Sequence, residues 1–134
     1  MINTTIKMSS QKINKLLKKQ NSLIGDLLKF DRMIKGSFVI VQTKCGKENC
    51  WCVEGDGHKH ARISWREDNL GRVRAVPDED QDWVKQMTQN NRVYKKLMSD
   101  FLNIQSKINI ALENNYKKII HVTKKEKSYL IIEK

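Results

Sequence analysis

The sequence has no apolar run of membrane-spanning length. Its longest, such as Phe38 to Val41 and Leu130 to Ile132, are strand-sized, far short of the roughly 20 residues that cross a bilayer. The opening "MINTTIKMSSQK" has no apolar stretch followed by a small-residue cleavage site, so secretion is not expected. Cysteine is scarce and odd in number, three in 134 residues. That argues against a disulfide framework and for a reducing compartment, the cytoplasm or, for a DNA-bound protein, the nucleoid. A Ser-His-Asp set, a P-loop and a pair of catalytic acids are all missing, so an enzyme is not expected. Negative charge is also short: 15 acidic against 26 basic side chains give +11. Such an excess favours polyanions, chiefly nucleic acid, DNA or RNA. Residues 1–36 hold eight basic and two acidic groups, more than half of the excess.

Two long segments carry helical periodicity. From Ser9 to Lys35, Ile13, Leu27 and Ile34 recur on one register and Leu16, Leu23 and Phe30 on the other, with Gln20 the one polar interruption. This pattern predicts a helix over 9–35, capped by Ser9 or Ser10 and ended by Gly36, packing lengthwise on another helix. Its off-seam lysines form either a solvated face or a nucleic-acid surface. After Pro77, four carboxylates precede a second seam running from Trp83 through Met87, Asn90, Tyr94, Leu97, Phe101, Ile104 and Ile108 to Ala111, predicting a helix over 78–121. A basic tail, 122–134, follows. Between the helices the period drops to two. Residues 37–43, 61–66 and 72–76 read as strands, the last two joined by the turn "EDNLG".

The fold class is therefore α+β in a single domain, 1–134: two long antiparallel helices, a helical hairpin or coiled coil, flanking a small three-stranded antiparallel sheet at residues 37–76. Pairing Ile34 with Trp83 sets Leu16 near Phe101 and Ile13 near Ile104, so the first helix runs out opposite about residue 108. Ile108, Leu112, Tyr116, Ile119 and Ile120 then lack cover. A homodimer through the second helix is expected, the alternative being that "SYLIIEK" folds back.

All three cysteines and two of the three histidines lie in "CGKENCWCVEGDGHKH", residues 45–60. Cys45, Cys50 and Cys52 with one imidazole make a Cys3His set, a common ligand set for structural Zn2+. The glycines of the loop give the backbone freedom to wrap an ion. A metal-free thiol cluster and redox chemistry at Cys50 and Cys52 are the other readings of these residues. His58 is preferred as the fourth ligand, because His60 begins a strand. Zinc here would add folding energy where the core is thinnest. Trp51, between two ligands, is either a lid over the site or an exposed stacking residue.

The run "GSFVIVQTKCGKENCWCVEGDGHKH" followed by "ISWREDNLGRVRAVPDE" resembles an uncharacterised small bacterial and archaeal domain family. Its signature is Gly-Ser, a strand, Cys-Gly-Lys-x-x-Cys-x-Cys, a glycine, His-Gly-Pro-Tyr, a strand, a glycine turn and a basic strand ending in proline. The likeness covers residues 36 to about 100 and puts Gly36, Ser37, Cys45, Gly46, Lys47, Cys50, Cys52, Gly55 and His58 on motif positions. Lys59, His60 and Ala61 depart from Gly-Pro-Tyr. The resemblance implies a shared fold and loop and an association with mobile elements; it brings no activity.

In "ARISWR" and "RVRAV" arginine and serine alternate with apolar residues. One face of the hairpin is expected to carry Arg62, Arg66, Arg72 and Arg74, which with Lys44, Lys47 and Lys59 form the expected nucleic-acid surface. The other reading of this face is a solvated sheet surface. A larger protein partner docked on the helices, such as a mobile-element enzyme, is the second expectation for function.

Overall fold

The structure, a computed structural model, describes residues 4–132. Its elements are α1 (Thr4–Leu27), β1 (Ser37–Thr43), β2 (His58–Glu67), β3 (Leu70–Ala75) and α2 (Gln81–Lys125), with 3-10 turns at Trp51–Val53, Asp78–Asp80 and Ser128–Leu130. The strands form an antiparallel sheet in the order β1-β2-β3. Among the described residues no helix is long and apolar enough to cross a membrane. The chain divides into two compact units, Phe30–Lys95 and Met1–Lys29 with Lys96–Lys134.

In the first unit, the sheet packs through Ala61, Phe38 and Ile63 against Val84 of α2, with Val76 and Ile34 closing the cluster. The expected helix over 9–35 stops at Leu27, and residues 31–35 carry no helical hydrogen bonding. Their backbone is held by α2 instead: Ile34 N donates to Met87 O at 3.0 Å, and Asn90 Nδ2 donates to Arg32 O at 3.2 Å. Phe30 meets Tyr94 edge-on, ring centroids 5.8 Å apart. The apolar repeat thus continues past the helix because Phe30 and Ile34, in the non-helical segment that leads to β1, pack against α2. Gly36 is not the end of a helix. It lies against β2, where a Cβ would stand 2.7 Å from Ser64 O.

The hairpin differs from expectation in a way that matters for charge. Glu67 pairs with Leu70 across a two-residue turn, Asp68 (φ 51°) and Asn69 (φ 63°). Two residues of positive φ are the turn whose twist suits a tight hairpin. A two-residue turn in place of the five-residue "EDNLG" reverses the parity of β3. Arg62 is paired with Ala75 and Ser64 with Val73, whereas Arg72 opposes Trp65 and Arg74 opposes Ile63. Directly opposed residues share a face. Arg62 and Arg66 therefore lie on one face and Arg72 and Arg74 on the other, correcting the single four-arginine face.

In the second unit α1 runs antiparallel to the C-terminal part of α2. Lys118 Nζ donates to Ser9 Oγ at 2.9 Å, and Gln20 Nε2 donates to Gln105 Oε1. Ser9 is thus inside α1, not its cap. Gln20, the polar interruption of the repeat, is buried with a partner of its own kind; Ile13 of α1 and Ile108 of α2 are buried apolar side chains of the same unit. The register is offset by about eight residues from the expected pairing of Ile13 with Ile104. Four residues of that offset are already present at Ile34, which meets Met87 rather than Trp83, and seven at Phe30, which meets Tyr94. Ile108 is consequently covered, while Leu112, Tyr116, Ile119 and Ile120 stay exposed. α2 extends to Lys125, past the expected boundary at 121. Tyr129 and Ile132 are 81% and 91% exposed, so the described part of "SYLIIEK" does not cover that stripe; Glu133 and Lys134 lie outside the described residues.

Gly25 sits inside α1 with open space where a Cβ would stand. Gly25→Ala is expected to raise stability by about 0.5–1 kcal/mol, because glycine costs a helix interior that much in backbone entropy. A denaturant melt checks it: the midpoint should rise with an unchanged slope.

Candidate metal centre

Residues 44–57 leave β1 and return to β2, and the two strands close the loop at its base through the pair Thr43 and His58. The last glycine is required twice over. Gly57 has φ +98°, and a Cβ there would lie 2.6 Å from the Thr43 carbonyl carbon. Gly57→Ala is expected to cost more than about 2 kcal/mol through strain and clash together, read as a lowered melting temperature. Within the loop Cys50 N donates to Lys47 O at 3.3 Å, Val53 N to Cys50 O at 3.1 Å and Gly55 N to Cys52 O at 3.3 Å. These tight turns put three thiols on one side.

The ligand atoms of Cys45, Cys50, Cys52 and His58 all lie within 4.8 Å of one another. Cys45 Sγ is 3.5 Å from Cys52 Sγ, and Cys50 Sγ is 3.2 Å from His58 Nε2. A tetrahedral ion bound at about 2.0–2.3 Å separates neighbouring sulfur and nitrogen ligands by roughly 3.3–3.8 Å. The cluster is therefore consistent with a metal site, needing shifts of at most about an ångström. Cys52 is fully buried, Cys50 and His58 half-buried, and Cys45 exposed, so an ion here would be covered on one side and reachable on the other. His60 lies outside the cluster, its ring 6.5 Å from that of His58. Trp51 is 68% exposed and touches the His58 ring edge-on at 4.9 Å. It borders the site without being buried over it.

Electrostatics separate the thiols. Cys45 is held at about 6, below its ordinary 9.0, by the Lys47 backbone first and then by the Cys52 and His58 side chains. Cys52 is raised: the Cys45 backbone N–H lowers it, but burial and the adjoining Cys45 and Cys50 sulfurs outweigh that. A lowered thiol stabilises the folded loop above its ordinary pKa, an effect lost as pH falls through about 6. The raised Cys52 works the opposite way, stabilising below 9.0 and losing that as pH climbs through its folded value. In chelator-treated protein at pH 7, iodoacetamide is expected to modify Cys45 first and Cys52 last. Cys45 labelling should slow about tenfold between pH 7 and pH 5 as its thiolate is protonated. Peptide mass spectrometry gives the order.

The basic residues singled out from sequence are scattered. Lys44 Nζ donates to Val53 O at 3.0 Å and so braces the loop. Lys47 and Lys59 are exposed, as are Arg62 and Arg74; Arg74 donates to Val73 O at 3.1 Å. Arg66 and Arg72, from opposite faces, nevertheless reach one hollow of about 600 Å³ at the edge of the sheet, joined there by Lys35, Arg92 and Lys95, with Ser37, Ser64, Trp65 and Asn91 also lining it. The lining has five cations and no carboxylate. None of the five forms an ion pair among the described residues. Lys35, Arg92 and Lys95 were missed by sequence because each lies on a different element or turn from the hairpin, and only the packing of α2 on the sheet unites them. No family model, curated protein or solved structure matches the chain.

Proposed function

We propose that this chain is a non-catalytic nucleic-acid-binding protein whose small sheet is stapled by a zinc ion on Cys45, Cys50, Cys52 and His58. The observation that carries the reading is the carboxylate-free hollow of Lys35, Arg66, Arg72, Arg92 and Lys95. Unpaired guanidinium and ammonium groups gathered in a concave surface repel one another unless an anion joins them, and arginine forks match phosphate oxygens. Zinc is the metal of choice because three thiolates and an imidazole are its usual structural set, with no position left open for a catalytic water. Metal binding by the loop would supply folding energy to a sheet whose core is only a few side chains. The family likeness read from the cysteine pattern adds an association with mobile elements, for which DNA or RNA is the expected substrate.

The test is binding of labelled duplex and single-stranded probes to the metal-loaded protein at rising salt. Counterion release should make log K fall linearly with log salt, with a slope near 0.9 per phosphate engaged on duplex. Absent or salt-independent binding overturns the reading.

A homodimer is part of this proposal. Leu112, Tyr116 and Ile119 are exposed and continue, at helical spacing, the stripe of α2 that is buried at Ile108, and Met98 and Leu102 are exposed nearer its start. Burial of each would contribute roughly 1.5–3 kcal/mol. The helices of the two chains would then form a coiled-coil bundle. The same stripe supports the second reading, an adaptor that docks a larger protein partner through its helices. Light scattering separates them: twice the chain mass at micromolar concentration is expected for the dimer, while a single-chain mass leaves the stripe to another protein.

A further inference from the structure

A second hollow, of about 630 Å³, opens beside the thiol cluster, and among its lining residues are Gln42, Trp51, Asp56, Lys59, His60 and Asp78. It differs from the basic hollow in chemistry. Two carboxylates make it a poor seat for phosphate, whereas an exposed indole, an imidazole and a primary amide make it suitable for a flat heteroaromatic ring. Trp51 is held in place from behind, its ring edge-on to His58 and its backbone inside the Trp51–Val53 turn. An indole in contact with the His58 ring yet 68% exposed offers stacking surface. Gln42 can donate to and accept from a base edge, and Asp56 and Asp78 can accept from an exocyclic amino group.

We propose that this hollow seats an unpaired nucleobase, stacked on Trp51. The inference rests on the nucleic-acid reading above and deepens it: the substrate is single-stranded. In a duplex the base faces are already stacked on their neighbours, so the indole cannot use them. The backbone contact falls to the basic hollow near Arg66, and Lys59 supplies one cation beside the base. Lys59 shares its face of the sheet with Trp65 and the opposed Arg72 of the basic hollow, six residues or roughly 20 Å along β2, so one flexible strand can reach both.

The test uses the metal-loaded full chain and fluorescence anisotropy with a single-stranded oligonucleotide and its duplex at one fixed salt concentration. Trp51→Ala is expected to weaken single-strand binding by about 5- to 100-fold, the range of one lost base stack, and to change duplex binding less than about twofold. Trp51→Phe should restore most of the affinity. Because Trp51 lies between two metal ligands, zinc content is measured on both variants. The unaltered protein provides an independent readout: its three indole N–H resonances, from Trp51, Trp65 and Trp83, are followed by NMR, and Trp51 should shift on adding single strand. Binding that Trp51→Ala leaves intact, with an unmoved Trp51 resonance, overturns the base seat while sparing the nucleic-acid reading. No binding to either probe overturns both.

Discussion

Cys52→Ser is expected to release the metal and lower the melting temperature by on the order of 15 °C. Cys52 is fully buried, lies 3.5 Å from Cys45 Sγ and accepts the Cys45 backbone N–H at 3.5 Å. Its sulfur is thus a packing element of a loop with little other core and, in the proposed zinc site, a ligand as well. Loss of a structural metal belongs to the few single changes that cost more than about 4 kcal/mol, and in a chain of this size each kcal/mol moves the midpoint by about 3–5 °C. His58→Ala should release the metal as well, because Nε2 is its contribution. His60→Ala should not, since that ring stands outside the cluster. Elemental analysis paired with a thermal melt on the three variants checks the pattern. A His60→Ala protein that loses its metal while His58→Ala keeps it would reassign the fourth ligand.

The second large effect concerns the basic hollow. Arg66→Glu combined with Arg72→Glu is expected to weaken nucleic-acid binding more than tenfold near physiological salt, for single strands and duplexes alike. Two attractive contacts become repulsive in a site that has no carboxylate of its own. The neutral pair Arg72→Ala with Lys95→Ala should act more gently, reducing the salt slope by about 1.8 on duplex, the share of two phosphates. Arg74→Glu, of equal charge but outside the hollow, is the control and should change affinity little. Equal losses from Arg74→Glu and from the Arg66 and Arg72 pair would reduce the hollow to bulk charge.

How much of this the sequence discloses varies with the range of the interaction. The thiol cluster is legible because its four ligands sit within fourteen residues, and the strand pair Thr43 and His58 closes the loop without distant help. The strands and the long second helix are legible for the same local reason. The end of α1 is not. Nothing at Leu28 or Lys29 breaks a helix, and the backbone beyond is held by contacts distant in sequence, Arg32 by Asn90 and Ile34 by Met87. The register on α2 is offset by four residues at Ile34 and by seven at Phe30, and the apolar stripe that remains uncovered moves with it. The arginines fail by one residue of parity: a two-residue turn at Asp68 and Asn69 sends Arg72 and Arg74 to the face opposite Arg62 and Arg66. Charge was visible in the composition, but its focus was not, since Lys35, Arg66, Arg72, Arg92 and Lys95 come from four separate places in the chain.

Zinc K-edge absorption on protein purified without chelator, with elemental analysis of the same sample, tests whether Cys45, Cys50, Cys52 and His58 hold zinc. One zinc per chain is expected, with three sulfurs at about 2.3 Å and one nitrogen at about 2.0–2.1 Å. A metal-free chain with three titratable thiols, or an ion held mainly by oxygen, would contradict it.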